Sequence, residues 1–151
     1  MERITISGPD IGALAKMMQK VDFFSPLTVG QLEKVLPHVM LDSYAAGETV
    51  FRQGDAGDAF YIVYAGKVEI RLKRMLFLSK TVASLGEGAF FGEGALLSQE
   101  TRNASVVCVE PSRLFTLLAA DFQFILNENP AAAAEMRSIA AQRKFVSSHA
   151  Q

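Results

Sequence analysis

A chain of 151 residues, half of them apolar, can bury one hydrophobic core, which excludes a disordered segment and needs no stapling metal or disulfide. A net charge of −1 argues against a protein that coats nucleic acid and leaves room only for a local basic patch. The single cysteine, Cys108, excludes an internal disulfide; inside the apolar run Ser105–Val109 it reads as a small core residue and suits a reducing compartment.

The N-terminus shows no basic segment followed by a long apolar run, and no stretch approaches the ~20 apolar residues of a membrane span. A cytoplasmic location is expected. Leu14, Met17, Met18 and Val21 place one apolar face on a helix over Ile11–Val21. Phe23 to Leu27, containing Pro26, breaks it. Thr28-Val29-Gly30-Gln31 predicts a capping box, and the helix it starts, carrying Leu32, Val35 and Leu36, stops near Pro37. These N-terminal helices occupy residues 11–37.

From Leu41 the apolar period falls to two. Strands are predicted at Thr49–Arg52, Ala59–Tyr64, Lys67–Lys73, Thr81–Leu85, Ser105–Val109 and Leu114–Leu118, punctuated by glycines. Many short strands over 41–118 predict a sandwich or barrel. Between Lys73 and Lys80 four apolar residues sit among basic ones, and the turn-formers Gly, Asn and Asp are absent. The segment reads as a strand extension or, more sharply, as a contact for a partner protein or membrane surface through Leu76 and Phe77. Helical patterning returns over 121–145. Asp121 is the expected N-cap of a short helix with Phe122, Ile125 and Leu126. Asn129-Pro130 restarts a helix expected to run to about Lys144, with Met136, Ile139 and Ala140 on its apolar face and a frayed tail after Val146.

The stretch from Phe91 to Val106 carries the chemistry. Gly92-Glu93 opens a short apolar turn, and Arg102 follows nine residues after the glutamate. Burying a phosphate monoanion uncompensated costs several kcal/mol. Arg102 offers a donor fork suited to it, and N–H groups near Gly94–Leu97 add donors at a helix start. Gly92 and Gly94 permit close backbone approach. Glu93 repels phosphate but can accept from a sugar hydroxyl, a main-chain N–H or an arginine. The same residues admit plain alternatives: a surface arginine in a turn, a structural carboxylate, an ordinary strand-start hydroxyl at Ser105.

This segment resembles the phosphate-binding cassette of cyclic nucleotide-binding domains. Further stretches extend the resemblance across about residues 12–145: Tyr44 to Asp55, Asp58 to Val68 and Leu85 to Glu93. It implies one α+β domain over 1–151: an eight-stranded, jelly-roll-like antiparallel β-roll with an inserted cassette helix, N-terminal helices and two C-terminal helices. It implies a cyclic phosphate held by the backbone at Gly92, Glu93 and Ala95, with Gly94 in the same turn, and by the Arg102 side chain. Glu93 takes the ribose hydroxyl, Asn103 touches phosphate and purine edge, and Ser105 is a further candidate contact. In the family a hydroxyl residue at the Asn103 position favours guanine; asparagine, with donors and an acceptor, suits either purine, and cAMP is favoured over cGMP. Gly94 replaces a bulky apolar residue and Thr101 a common proline, which loosens the cassette.

The expected function is a regulatory sensor whose C-terminal helix closes over the base, with Arg137, Ile139 or Arg143 as lid contacts. The motion would reach an unknown effector protein through the 73–80 segment or the C-terminal helix, whose alanine-rich face also suits a homodimer. The expected ligand is cAMP or cGMP, with no cofactor, metal or direct nucleic-acid partner. The alternatives are an interaction domain that kept the fold and lost the ligand, and a domain excised from a channel or transcription regulator. A helix-turn-helix of the kind that follows such domains in transcription regulators is not expected within these residues. Asp55 and Asp58 lack the spacing of a calcium loop, and His38 and His149 flank the β-region too far apart for a histidine metal site. An enzyme is disfavoured because no nucleophile motif or acid–base pair stands out.

Overall fold

The computed structural model describes residues 1–75, 78–98 and 100–149. Among these lie nine strands and five α-helices: β1 (Glu2–Ile4), α1 (Gly8–Gln19), α2 (Val29–Val35), β2 (Met40–Tyr44), β3 (Thr49–Phe51), β4 (Ala59–Ala65), β5 (Val68–Met75), β6 (Leu78–Leu85), β7 (Phe90–Phe91), α3 (Gly94–Leu97), β8 (Ser105–Cys108), β9 (Ser112–Leu118), α4 (Gln123–Glu128) and α5 (Pro130–His149). The family's eight-strand expectation misses β1, which pairs antiparallel with β2.

Local chemistry explains the helix starts. The Thr28 hydroxyl accepts from Gln31 N at 3.1 Å and the Gln31 side chain accepts from Thr28 N at 3.0 Å, closing the predicted capping box. A second capping box, Ser7 with Asp10, starts α1 three residues before the expected Ile11. Asn129 caps α5 through Ala132 N at 3.1 Å. Asp121 does not cap α4. Residues Ala119–Asp121 form a 3₁₀ turn, α4 begins after Phe122 without a side-chain cap, and the Asp121 carboxylate faces His38 at 3.9 Å. Helix α5 continues past Lys144 to His149, so the expected fraying after Val146 is not what this structure shows. The contacts expected of Leu76 and Phe77 fall outside the described residues.

Two antiparallel sheets, ordered β1-β2-β9-β4-β7 and β3-β8-β5-β6, face each other. Their inner side chains, among them Tyr44, Tyr61, Val63, Val68, Phe91, Val106, Cys108 and Leu114, form the roll interior. The outer face of the first sheet is covered by helices, and Phe23, Phe24, Phe60, Phe115 and Phe122 are fully buried there. Each such ring contributes roughly 2–3 kcal/mol of burial. Strand β4 therefore has both faces covered: Ala59, Tyr61 and Val63 belong to the roll, Phe60 and Ile62 to the helical layer. This pattern explains why residues 59–63 read as a continuous apolar run instead of an alternation.

Candidate functional site

Arg102 lies at the centre of the site. Its main chain is fixed first. Arg102 N donates to Asp55 O at 2.7 Å, Gly54 N donates to Arg102 O at 2.8 Å, and Gly57 N donates to Glu100 O at 3.1 Å. Loop 54–57 thus docks edge-on against residues 100–102. A Cβ at Gly57 would stand 2.6 Å from Glu100 O, so only glycine allows this approach. The acidic loop that could be mistaken for a calcium site is a clamp on the arginine's backbone.

The Arg102 side chain then turns into the roll, leaving the residue 8% exposed. Nη2 donates to Ala59 O at 2.6 Å and Nη1 to Gly92 O at 3.5 Å, while the guanidinium carbon lies 4.0 Å from the Phe51 ring centroid. Its buried Nε has no hydrogen-bond partner among the described residues. Burial depresses the Arg102 pKa, outweighing the opposing influence of Tyr61, Asp58, Glu93 and Asp55. A cation whose desolvation is not offset by its neighbours is stabilised by an anion brought to it.

Gly92 shapes the wall beside that cation. Its φ is +78°, and a Cβ there would come within 3.0 Å of both Ala59 O and Arg102 Nη1. Gly94 has open space around it and no such constraint. In the α3 turn Ala95 N donates to Gly92 O at 3.2 Å and Leu96 N to Glu93 O at 3.1 Å, so the Ala95 N–H already has an internal acceptor.

Glu93 does not cap α3 with its side chain. Its Oε2 lies 3.1 Å from Arg143 Nη1 on α5, close enough for an ion pair though not aligned as a hydrogen bond. Arg143 Nη2 donates to Phe90 O at 3.2 Å, and the guanidinium lies over the Phe90 ring at 3.9 Å. Of the three predicted lid residues, Arg143 reaches the cassette, Ile139 is half-buried and Arg137 is exposed.

Asn103 is exposed beside Arg102. Ser105 Oγ accepts from Gln53 N at 2.8 Å, a tie from β8 to the turn after β3 that leaves its own proton available to donate. Phe51, Gly57 and the carbonyl of Ala59 were not anticipated as parts of the site. The signal available for Phe51 is its place among inward-facing aromatics: its ring centroid lies 5.9 Å from those of Tyr61 and Phe91. Among the described residues no three His, Cys, Asp or Glu side chains cluster as a metal site, and no helix is long and apolar enough to cross a membrane.

A β-roll that presents a buried guanidinium beside a glycine turn and a carboxylate has the makings of an anion-binding sensor module. The chain belongs to the cyclic nucleotide-binding domain family, whose model matches residues 41–129. It is 32% identical over 126 residues to a cyclic AMP receptor protein of Thermus thermophilus, covering 83% of this chain and 58% of that protein. It is 33% identical over 129 residues to a putative potassium channel protein of Rhodopseudomonas palustris, covering 82% of this chain and 29% of the relative. The crystal structure of the sensor domain of the transcriptional regulator DNR from Pseudomonas aeruginosa superposes with a TM-score of 0.75 at 25% identity, covering 88% of this chain and 89% of that one. The chain thus spans little more than half of one curated relative and under a third of the other. It is a cyclic nucleotide-binding domain of the regulatory kind, in a family defined by binding and not by catalysis.

Proposed function

We propose that this domain senses cAMP, with cGMP the weaker ligand, and reports binding through α5. The phosphate is received by Arg102, whose unpartnered Nε carries the reading, together with main-chain groups of Gly92, Glu93 and Gly94 and with the Ala95 N–H, which exchanges its 3.2 Å bond to Gly92 O for the phosphate. Glu93 takes the ribose 2′-hydroxyl. Asn103, which lacks the hydroxyl associated with guanine, and Ser105 line the approach to the phosphate and purine.

Arg143 links this site to α5. Its partner, Glu93, is the carboxylate that the ribose would engage, and Phe90 supports its guanidinium. Nucleotide therefore meets α5 directly, and closure of that helix over the base is biased by the difference in affinity between closed and open states. The effector is a protein joined to or docked on α5.

Calorimetric titration with cAMP and cGMP tests the reading. Arg102→Ala should weaken cAMP binding by roughly a hundredfold or more, because it removes charge-assisted hydrogen bonds worth about 1.5–3 kcal/mol each. Circular dichroism should show an unchanged fold. Equal affinity in the variant, or no uptake by the wild type, rejects it and favours an interaction domain without a ligand.

A further inference from the structure

The β5–β6 ribbon differs in charge from the rest of the molecule. Residues 67–80 hold five basic side chains and one acidic one, a net of +4 in a chain whose overall net is −1. The one acid, Glu69, is neutralised locally: its Oε1 accepts from Arg71 Nη2 at 3.0 Å and from the Thr81 hydroxyl at 3.3 Å.

The ribbon also outruns its sheet. Strand β8 pairs with β5 only from Val68 to Arg71, whereas β6 pairs with β5 as far as Met75. Beyond Arg71 no third strand lies beside the two among the described residues, and such a ribbon is only marginally stable on its own. Gln53 braces it: its side chain accepts from Lys73 N at 2.8 Å and donates to Lys73 O at 3.1 Å. The outer part faces solvent, with Lys73, Leu78, Ser79, Lys80 and Thr81 all exposed and Leu78 at 62%.

Register puts the lysines on opposite faces. Lys73 pairs with Ser79 and Leu72 with Lys80, so Leu78 shares the Lys80 face while Lys73 lies on the other. An exposed leucine in the last described pair of the ribbon, Met75 with Leu78, and a lysine on each face suit contact with a surface that is apolar inside and anionic at its boundary.

We propose that this ribbon docks on a lipid bilayer bearing anionic headgroups, Leu78 entering the boundary and Lys73 and Lys80 meeting the headgroups. The assignment is independent of nucleotide.

The test is co-sedimentation of the 151-residue chain with phosphatidylcholine vesicles, with and without phosphatidylserine, at low and high salt. Retention should require phosphatidylserine and fall as salt rises. Each lysine near such a surface contributes roughly fivefold in partitioning, so Lys73→Gln with Lys80→Gln should lower it about thirtyfold. Leu78→Ser should lower it about tenfold by removing apolar burial. Unchanged melting temperatures would confirm that these exposed substitutions leave the fold intact, and the wild-type salt series stands without them. No retention, retention equal on neutral vesicles, or variants that bind like the wild type would overturn the proposal. An acidic protein partner, or lysines that merely guard a sheet edge, would give the first of these results.

Discussion

Arg143 Nη1 stands 3.1 Å from Glu93 Oε2, fifty residues apart in sequence and joined across the α5–cassette boundary. The pair is part-exposed, with side-chain exposures of 37% and 17%, so solvent screening limits its contribution to about 1 kcal/mol. A contribution of that size suits the readily opened closure proposed for α5. Arg143→Ala should raise both association and dissociation rates of a fluorescent cyclic nucleotide by up to about fivefold in stopped-flow. Unchanged rates would show that α5 does not gate the site.

The two cassette glycines should respond oppositely to alanine. At Gly92 the positive φ and the contacts at 3.0 Å penalise a methyl group, and the atom that must yield is Arg102 Nη1. Gly92→Ala should destabilise by about 1–3 kcal/mol and weaken nucleotide binding. Gly94→Ala meets nothing and restricts the unfolded chain, so it should stabilise by about 0.4–1 kcal/mol with binding retained. Thermal melts with and without cAMP measure both.

Asp42 and Arg3 should be unequal partners. Asp42 is 1% exposed and accepts from Arg3 Nε at 2.8 Å and from the buried Thr116 hydroxyl at 2.9 Å. Asp42→Ala leaves that hydroxyl buried without its acceptor and should cost about 3 kcal/mol in urea unfolding. Arg3, with a side chain 53% exposed, should cost less than about 1 kcal/mol as alanine.

Asp10 should shape the acid limb of stability. The Ser7 main-chain N–H, followed by the Ser7 and Tyr64 hydroxyls, holds its carboxyl below the usual carboxylate range. The unfolded chain therefore takes up this proton first. The contribution is complete above the unfolded pKa of about 4 and disappears as pH falls through the lower folded value. Melting temperatures of Asp10→Asn should vary less than those of the wild type between about pH 5 and pH 2. Parallel curves would refute the assignment.

Local signals made much of this fold legible. The Thr28–Gln31 and Asn129–Pro130 starts depend on neighbours within three residues, and the alternation from Val68 to Lys73 marks a strand without outside help. What depended on distant partners was harder to read. Strand β1 is three residues long and exists because β2 offers it an edge. Asp121 looked like a cap, yet the chain folds into a 3₁₀ turn there and the helix begins beyond it. At the site, the glycine–glutamate–arginine spacing points to an anion-binding turn, and the family match supports that reading at the level of the domain. The supports of Arg102 come from Gly57, Phe51 and Ala59, which chain order places up to 51 residues away. Arg143 is one of three candidates on α5, and its contact with Phe90 depends on where that helix crosses the roll, which no local signal gives.

Strand β4 is a party wall between two rooms. Ala59 lends its carbonyl to Arg102, and the next residue, Phe60, packs its ring against Phe23, Phe24 and Phe90 on the other side. Neither occupant can be refurnished alone: a repacking mutation chosen for the helical layer disturbs the arginine's anchor, and a change that retunes the anchor is felt among the rings. Saturation mutagenesis should find this five-residue stretch, 59–63, the least forgiving in the chain.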